Sequence, residues 1–65
     1  MYNLTWEQAL EAMRNGKLVE HNCFCGGEFF EMQNGRVVDE AGYSMAGWNR
    51  NEGWQQTDWR ILEDS

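Results

Sequence analysis

The dipeptide Asn34-Gly35 constrains the fold of this chain more than any other feature. Asn-Gly between two apolar, alternating segments is the strongest short-range signal for a β-hairpin with a two-residue type I′ turn. A loop of two residues also fixes the register of the hairpin, with Gln33 opposite Arg36. The sequence therefore predicts two neighbouring antiparallel strands over residues 28–33 and 36–38.

Both faces of this hairpin carry apolar side chains. In the predicted register, Phe30, Met32 and Val37 share one face. Phe29 and Val38 fall on the opposite face. One short helix covers only one face of a sheet, so a second apolar face in a chain of 65 residues suggests a subunit interface. We therefore expect a homo-oligomer, either a dimer or a tetramer.

The N-terminal segment has the signals of an amphipathic helix. Thr5 and Gln8 have the spacing of a capping box, in which each side chain bonds the backbone of the other residue. An apolar stripe at i, i+3, i+4 and i+7 follows, made of Trp6, Ala9, Leu10 and Met13. Asn15-Gly16 provides the left-handed exit from the helix. We predict a helix over residues 6–15.

The rest of the chain follows the period of a strand, interrupted by turns. The predicted elements are a first strand over residues 18–21 that runs towards Phe24, a short strand over 43–48, a loop or single helical turn over 49–56, and a closing strand over 57–62. In the closing strand, Trp59 and Ile61 are expected to point inward. The fold class is α+β, with an N-terminal helix packed on a small antiparallel β-sheet of about four to five strands. We expect residues 1–65 to form a single domain.

The charge of the chain limits its partners. Eleven acidic residues against five basic ones give a net charge of −6. This balance argues against direct binding of nucleic acid or of an anionic membrane, since both depend on Lys and Arg. No apolar run approaches the length of about 20 residues that spans a bilayer, and no signal peptide is predicted. A basic partner, a host protein surface or a small ligand remains possible.

His21, Cys23 and Cys25 alternate, so on a strand they would project from one face and offer soft metal ligands. Structural zinc sites prefer four ligands and gaps of two to four residues between paired cysteines, and a second ligand group is missing from this sequence. We therefore expect two partly buried thiols and a surface histidine, with no metal and no cofactor. Catalytic motifs are also missing, and we expect that the protein is not an enzyme.

The aromatic residues carry more functional information. Trp48 and Trp54 bracket the polar residues 49–53. Flat stacking faces, amide groups and the guanidinium of Arg50 suit a nucleobase and a phosphate. Alternatively, both indoles cap the core of a small protein. An acidic surface with exposed aromatics is equally consistent with a protein-binding face or a mimic of a polyanion.

Three motifs, which together cover most of the chain, resemble those of a phage family. The first, "aromatic-x-x-Ala-Leu-x-x-hydrophobic-x-x-Gly-Lys-x-Val", is matched by residues 6–19. The second is an aromatic residue and a glycine turn before an aromatic strand, matched by Phe24, Gly26-Gly27 and Phe29-Phe30. The third is a closing strand that contains Asp-Trp, matched by residues 54–62. On these motifs the chain resembles the Thoeris anti-defence type 2 proteins.

The resemblance implies a phage protein that acts as a sponge in the cytoplasm of the bacterial host. Members of that family sequester cyclic nucleotide signals, such as glycosylated cyclic ADP-ribose, without cleaving them. They bind these signals in pockets at the subunit interfaces of a homo-oligomer, commonly a tetramer. Some relatives inhibit bacterial immunity in other ways, including anti-CRISPR activity.

Two hypotheses about function follow. In the first, aromatic rings stack a base, Arg50 pairs with a phosphate, and Asn49 and Asp58 recognise ribose or base edges. The predicted ligand-binding residues are Phe24, Trp48, Asn49, Arg50, Trp54 and Asp58. In the second, the protein is an acidic inhibitor that binds a host immune protein directly, as an anti-CRISPR or a polyanion mimic. Where family members carry a basic pair after the helix, this chain has Glu20-His21, which removes charge that would pair with phosphate.

Overall fold

The computed structural model describes residues 2–62 as one helix packed on one antiparallel sheet. In chain order the elements are α1 (Trp6–Arg14), β1 (Leu18–His21), β2 (Phe30–Gln33), β3 (Arg36–Asp39), a 3₁₀ turn (Gly53–Gln55) and β4 (Trp59–Leu62). The four strands lie in the order β3-β2-β1-β4. The predicted fold class is confirmed, and the sheet has four strands.

Helix α1 begins where the sequence predicts. The Thr5 hydroxyl accepts a hydrogen bond from the Gln8 backbone N–H at 3.1 Å, and the Gln8 side chain accepts one from the Thr5 N–H at 2.9 Å. Such a box satisfies two of the backbone donors that a helix start leaves unpaired. The helix ends at Arg14 with Asn15 as its C-cap, one residue earlier than predicted.

The hairpin between β2 and β3 has the predicted register. Gln33 pairs with Arg36 across the turn. Asn34 and Gly35 have φ values of 54° and 80°, the left-handed conformation that both central residues of a type I′ turn must adopt. The tight turn therefore places the Arg36 side chain at the tip of the hairpin, beside the exit of β2.

One face of the sheet packs against α1 and forms the core. Val19, Phe30 and Trp59 from three strands meet Ala9 and Met13 of the helix, and all five are buried. A Trp buried to 0% exposure contributes a large apolar area, which a domain of this size needs.

The opposite face of the sheet is less apolar than predicted. Val38 lies on it and is buried, but Phe29 precedes β2 and is only half-buried. The Glu20 carboxylate accepts hydrogen bonds there from the Tyr2 hydroxyl at 2.9 Å and from Arg60 Nε at 2.6 Å. The hydrogen bond from the Tyr2 hydroxyl to the Glu20 carboxylate raises the pKa of Tyr2. Desolvation and the negative charge of Glu20 raise it further, by smaller amounts. A polar cluster therefore occupies part of the face that was expected to be an interface, and the homo-oligomer stays a prediction.

Residues 43–48 do not form the short strand that was predicted. A single isolated bridge joins Ser44 to Val38. The chain instead turns after β3, because Asp39 Oδ1 accepts hydrogen bonds from the backbone N–H groups of Ala41 at 3.0 Å and Tyr43 at 2.9 Å. A side chain that binds the backbone two residues ahead is an Asx turn, which competes with strand pairing.

The closing strand is shorter than predicted, and Ile61, which lies on the same face as Trp59 and opposite Val19, is only partly covered. Trp59 is fully buried as expected, whereas Ile61 is 44% exposed. Strand β4 lies at the edge of the sheet, so a residue near its end has neighbours on one side only. The polar segment before it contains the expected helical turn, over Gly53–Gln55.

Candidate functional site

Trp48 lies at the centre of an aromatic cluster. Its ring centroid lies 5.0 to 6.2 Å from those of five other aromatic residues, which are Trp6, Phe24, Phe30, Trp54 and Trp59. Most of these rings meet edge to face, the arrangement that aromatic quadrupoles favour. Trp48 is half-buried, and its buried part packs against the core. Trp54, at the outer end of the cluster, is 49% exposed.

Gln55 holds the loop that carries Trp54. Its side chain is 3% exposed and forms hydrogen bonds with backbone groups of the loop. Its Oε1 accepts hydrogen bonds from the N–H groups of Arg50 at 2.8 Å and Glu52 at 3.3 Å, and its Nε2 donates to the Trp48 carbonyl at 2.8 Å. The Gln55 carbonyl accepts a hydrogen bond from Trp59 Nε1 at 2.8 Å. The Gln55 side chain therefore holds the loop together, and the Gln55 carbonyl joins the loop to Trp59 of the core.

His21 provides a second tie and is not the surface residue that was expected. It is 1% exposed, at the end of β1. Its Nδ1 accepts a hydrogen bond from the Cys23 backbone N–H at 2.9 Å, and its Nε2 lies 2.6 Å from the Trp54 carbonyl. A backbone N–H can only donate, so the proton is on Nε2 and is donated to Trp54. The imidazole therefore joins the exit of β1 to the 3₁₀ turn.

The predicted alternation of His21, Cys23 and Cys25 ends because β1 stops at His21. Both cysteines lie in the following turn and are exposed, contrary to the expectation of partly buried thiols. Within residues 2–62, no group of three or more His, Cys, Asp or Glu side chains is placed to hold a metal ion.

A cleft lies between the start of α1, the tip of the hairpin and the segment that leads to Trp48. We call it the hairpin cleft. It has a volume of about 320 Å³ and is lined by Trp6, Gly35, Arg36, Val37, Met45, Ala46, Gly47 and Asn49. Its walls are mainly apolar, and Arg36 is the single charged residue among those lining residues. A small apolar cleft with a few polar groups is typical of a ligand site.

Asn49 has a buried donor without a partner. Its Oδ1 accepts hydrogen bonds from the Asn51 N–H and from Gln56 Nε2, both at 2.9 Å, so the amide orientation is fixed. Its Nδ2 is buried and makes no hydrogen bond within the described part of the chain. An unpaired buried donor costs about 1–3 kcal/mol, and such a group calls for an explanation in its surroundings. Because this nitrogen is buried, an acceptor on a ligand would pair with it only after the side chains that cover it move.

A second cleft lies on the other side of Met45. We call it the acidic cleft. It has a volume of about 220 Å³ and is lined by Phe24, Glu28, Phe30, Asp39, Glu40, Met45 and Trp48. Three of these residues are acidic and none is basic, so its electrostatic character is opposite to that of the hairpin cleft.

The six predicted ligand-binding residues do not surround one cavity. Asn49 lines the hairpin cleft, and Phe24 and Trp48 line the acidic cleft. Trp54 lies beside Trp48 at the surface. Arg50 and Asp58 are exposed and line neither cleft.

Asp58 has a backbone role instead. It adopts a φ of 68°, and its carbonyl accepts a hydrogen bond from the Asn22 N–H at 3.0 Å. The turn that precedes β4 is thereby joined to the turn that follows β1.

Sequence reasoning did not find Arg36 and Trp6 as cleft residues, nor Gln55 and His21 as the groups that fix the loop. The register of the hairpin predicted that Arg36 lies next to the turn, and this was the one sequence feature that could have indicated Arg36 as a cleft residue. A glutamine in a polar loop has no sequence mark that distinguishes a buried residue from a solvated one.

Comparisons with protein-family models, with curated proteins and with solved structures find no match for this chain. Among residues 2–62, no helix has the length and apolar composition needed to cross a membrane.

Proposed function

We propose that this chain is a phage-encoded anti-defence protein that binds a cyclic nucleotide immune signal and sequesters it, without cleavage, in the cytoplasm of the bacterial host. The sequence motifs that resemble the Thoeris anti-defence type 2 proteins support the class of ligand. The observation that carries the proposal is the unpaired Asn49 Nδ2 in a residue that lines an apolar cleft.

The lining of the hairpin cleft suits a nucleoside phosphate. The indole of Trp6 offers a stacking surface, and Val37 and Met45 add apolar contacts for a base. Asn49 Nδ2 would donate to a carbonyl or ring nitrogen of that base once the side chains that now bury it move. Arg36 is exposed at the edge of the cleft, where a guanidinium can bind phosphate oxygens with two parallel hydrogen bonds.

The size of the cleft bears on the oligomer. Its 320 Å³ lies near the lower end of the range of about 300–1,000 Å³ for ligand pockets. One base with its sugar fits such a volume better than a whole cyclic dinucleotide. The rest of the ligand would then extend beyond one copy, so we propose that a homo-oligomer, a dimer or a tetramer, completes the site.

Isothermal titration calorimetry against a panel of cyclic nucleotides tests this proposal. We expect one of them to bind and to be recovered intact by chromatography after the protein is denatured. Asn49→Asp keeps the Oδ1 acceptor, replaces the amide donor by a second carboxylate oxygen and adds a negative charge, and Arg36→Gln removes a positive charge. Each should weaken binding about tenfold or more, whereas Arg14→Gln on the exposed helix surface should not.

If no nucleotide of the panel binds, or if the variants of Asn49 and Arg36 bind as well as the unchanged protein, the hairpin cleft is not the site. Recovery of a hydrolysed ligand would contradict sequestration without cleavage. The melting temperatures of all variants are measured alongside, so that loss of binding is separated from loss of folding.

The acidic cleft favours a second candidate function, in which the protein binds a host immune protein directly. Its three carboxylates and the net charge of −6 are suited to a basic protein surface, as in an anti-CRISPR or polyanion-mimic inhibitor. A pull-down from host lysate that yields one stoichiometric protein, together with no nucleotide binding, would favour this function over sequestration.

A further inference from the structure

We infer that the acidic cleft is a docking site for an arginine side chain of a partner protein. The inference does not depend on nucleotide binding, because the hairpin cleft and the acidic cleft share only Met45 among their lining residues.

Three aromatic rings form the wall and floor of the acidic cleft. Phe24 and Trp48 meet edge to face with centroids 6.2 Å apart, and Phe30 meets Trp48 in the same way at 5.0 Å. Phe30 is buried, with 4% exposure, and supports the other two rings from below. Phe24 and Trp48 are only half-buried and line the cleft, and a cation over an exposed part of either ring face is attracted by the ring quadrupole.

Two of the carboxylates in the cleft are held in place by the backbone. Glu28 Oε1 accepts a hydrogen bond from the Cys25 N–H at 2.9 Å. Asp39 Oδ1 accepts the two backbone hydrogen bonds of its turn. Each carboxylate thus keeps a second oxygen that has no hydrogen-bond partner among residues 2–62. Acceptors that are already oriented lose little entropy when they bind a donor.

The negative charge of the cleft is not compensated by its own lining. The carboxylates of Glu28, Asp39 and Glu40 are not accompanied by any Lys or Arg among the lining residues. Neither of the two salt bridges found within residues 2–62 involves them. A cationic group is therefore the complement that this cleft lacks.

Arginine fits the cleft better than other cations. A guanidinium is planar and weakly hydrated, stacks on aromatic rings and binds carboxylates through two hydrogen bonds, whereas an ammonium group is a strongly hydrated point charge. A volume of 220 Å³ is below the range of about 300–1,000 Å³ for whole small-molecule ligands and suits the end of one side chain. A partner that presents a basic surface would also be drawn to a chain of net charge −6.

Short peptides test the inference. The probe is a blocked pentapeptide with one arginine between serine and glycine residues. The controls are the same peptide with citrulline, which keeps the shape and loses the charge, and with lysine. Binding is followed by NMR titration of the Trp48 indole N–H signal. We expect the arginine peptide to bind most tightly, the lysine peptide more weakly, and the citrulline peptide not at all.

Matched charge variants locate the site. Glu28→Gln combined with Glu40→Gln keeps the Glu28 Oε1 acceptor and removes two charges from the cleft. We expect this variant to weaken binding of the arginine peptide about threefold to tenfold. The control combines Glu7→Gln with Glu11→Gln on the exposed helix surface, which changes the net charge equally, and it should change affinity less than twofold.

Several results would overturn the inference. Equal binding of the citrulline peptide would show that charge is irrelevant, and equal losses in the two double variants would show only a general charge effect. Self-association that is lost both in Arg50→Gln and in the Glu28 and Glu40 variant would show that the occupant is a second copy. The Glu28 and Glu40 variant should retain its affinity for nucleotide. This measurement tests arginine binding in the acidic cleft separately from nucleotide binding in the hairpin cleft.

Discussion

Gln55 is the residue whose replacement should reveal most about how this small domain is held together. Gln55→Leu keeps the approximate volume of a side chain that is 3% exposed and removes its three hydrogen bonds. The N–H groups of Arg50 and Glu52 and the carbonyl of Trp48 then lose their partner. These backbone groups belong to a loop whose structure depends on that one side chain.

The expected cost follows from these three groups. An unsatisfied buried polar group costs about 1–3 kcal/mol. Arg50 and Glu52 are exposed residues, so water can partly replace the partner of their N–H groups. We therefore expect Gln55→Leu to lower the free energy of unfolding by about 2–4 kcal/mol. A core of this size usually supplies only about 3–5 kcal/mol in total, so the variant should be close to unfolding at room temperature.

Urea unfolding followed by tryptophan fluorescence measures this change. For a small domain with an m-value near 1 kcal/mol/M, the midpoint should fall by about 2 M or more. Gln33→Leu is the control, because Gln33 is exposed on β2 and, within residues 2–62, its side chain makes one hydrogen bond, to the Glu31 carboxylate at 3.3 Å. If Gln55→Leu shifts the midpoint no further than Gln33→Leu, the buried glutamine does not hold the loop and the reasoning is wrong.

Three further predictions concern other parts of the fold. His21→Phe should cost about 2 kcal/mol in urea unfolding, because it leaves two backbone groups of neighbouring turns without a partner. Thr5→Ala should cost about 1 kcal/mol in the same assay, through loss of the helix cap. The raised pKa of Tyr2 predicts that its phenolate forms above pH 10.0, which absorbance at 295 nm reports in the Tyr43→Phe background. Since the folded state holds this proton more tightly than the unfolded chain, the contribution of Tyr2 to stability is present below pH 10.0 and is lost as the pH rises through the raised value. Glu20→Gln should move the transition back towards pH 10.0.

The two clefts have opposite chemistry although they lie close together. The hairpin cleft has Arg36 and an unpaired amide donor, and the acidic cleft has three carboxylates beside aromatic rings. The proposals for them are an anionic ligand in one and a cationic side chain in the other. Because Met45 lines both, occupancy of one cleft is expected to affect the NMR signals of the other.

Local sequence signals determined the start of α1 and the register of the hairpin. The capping box involves residues three apart, and the Asn34-Gly35 turn fixes its own flanking pairs. Such signals act within one turn of backbone and need no information from the rest of the chain. The 3.6-residue stripe of Trp6 to Met13 likewise predicted the helix, and Ala9 and Met13 are buried as that stripe requires.

The tertiary structure alone decided which polar residues are buried and where the clefts lie. His21 meets the Trp54 carbonyl across 33 residues, and Glu20 meets Arg60 across 40. Whether such a side chain is solvated or enclosed depends on the path of the whole chain, which no local pattern encodes. The same holds for Asn49. The polar residues between Trp48 and Trp54 predicted a loop, but the amide donor of Asn49 is buried and unpaired beside a cleft only because helix, hairpin and loop pack together.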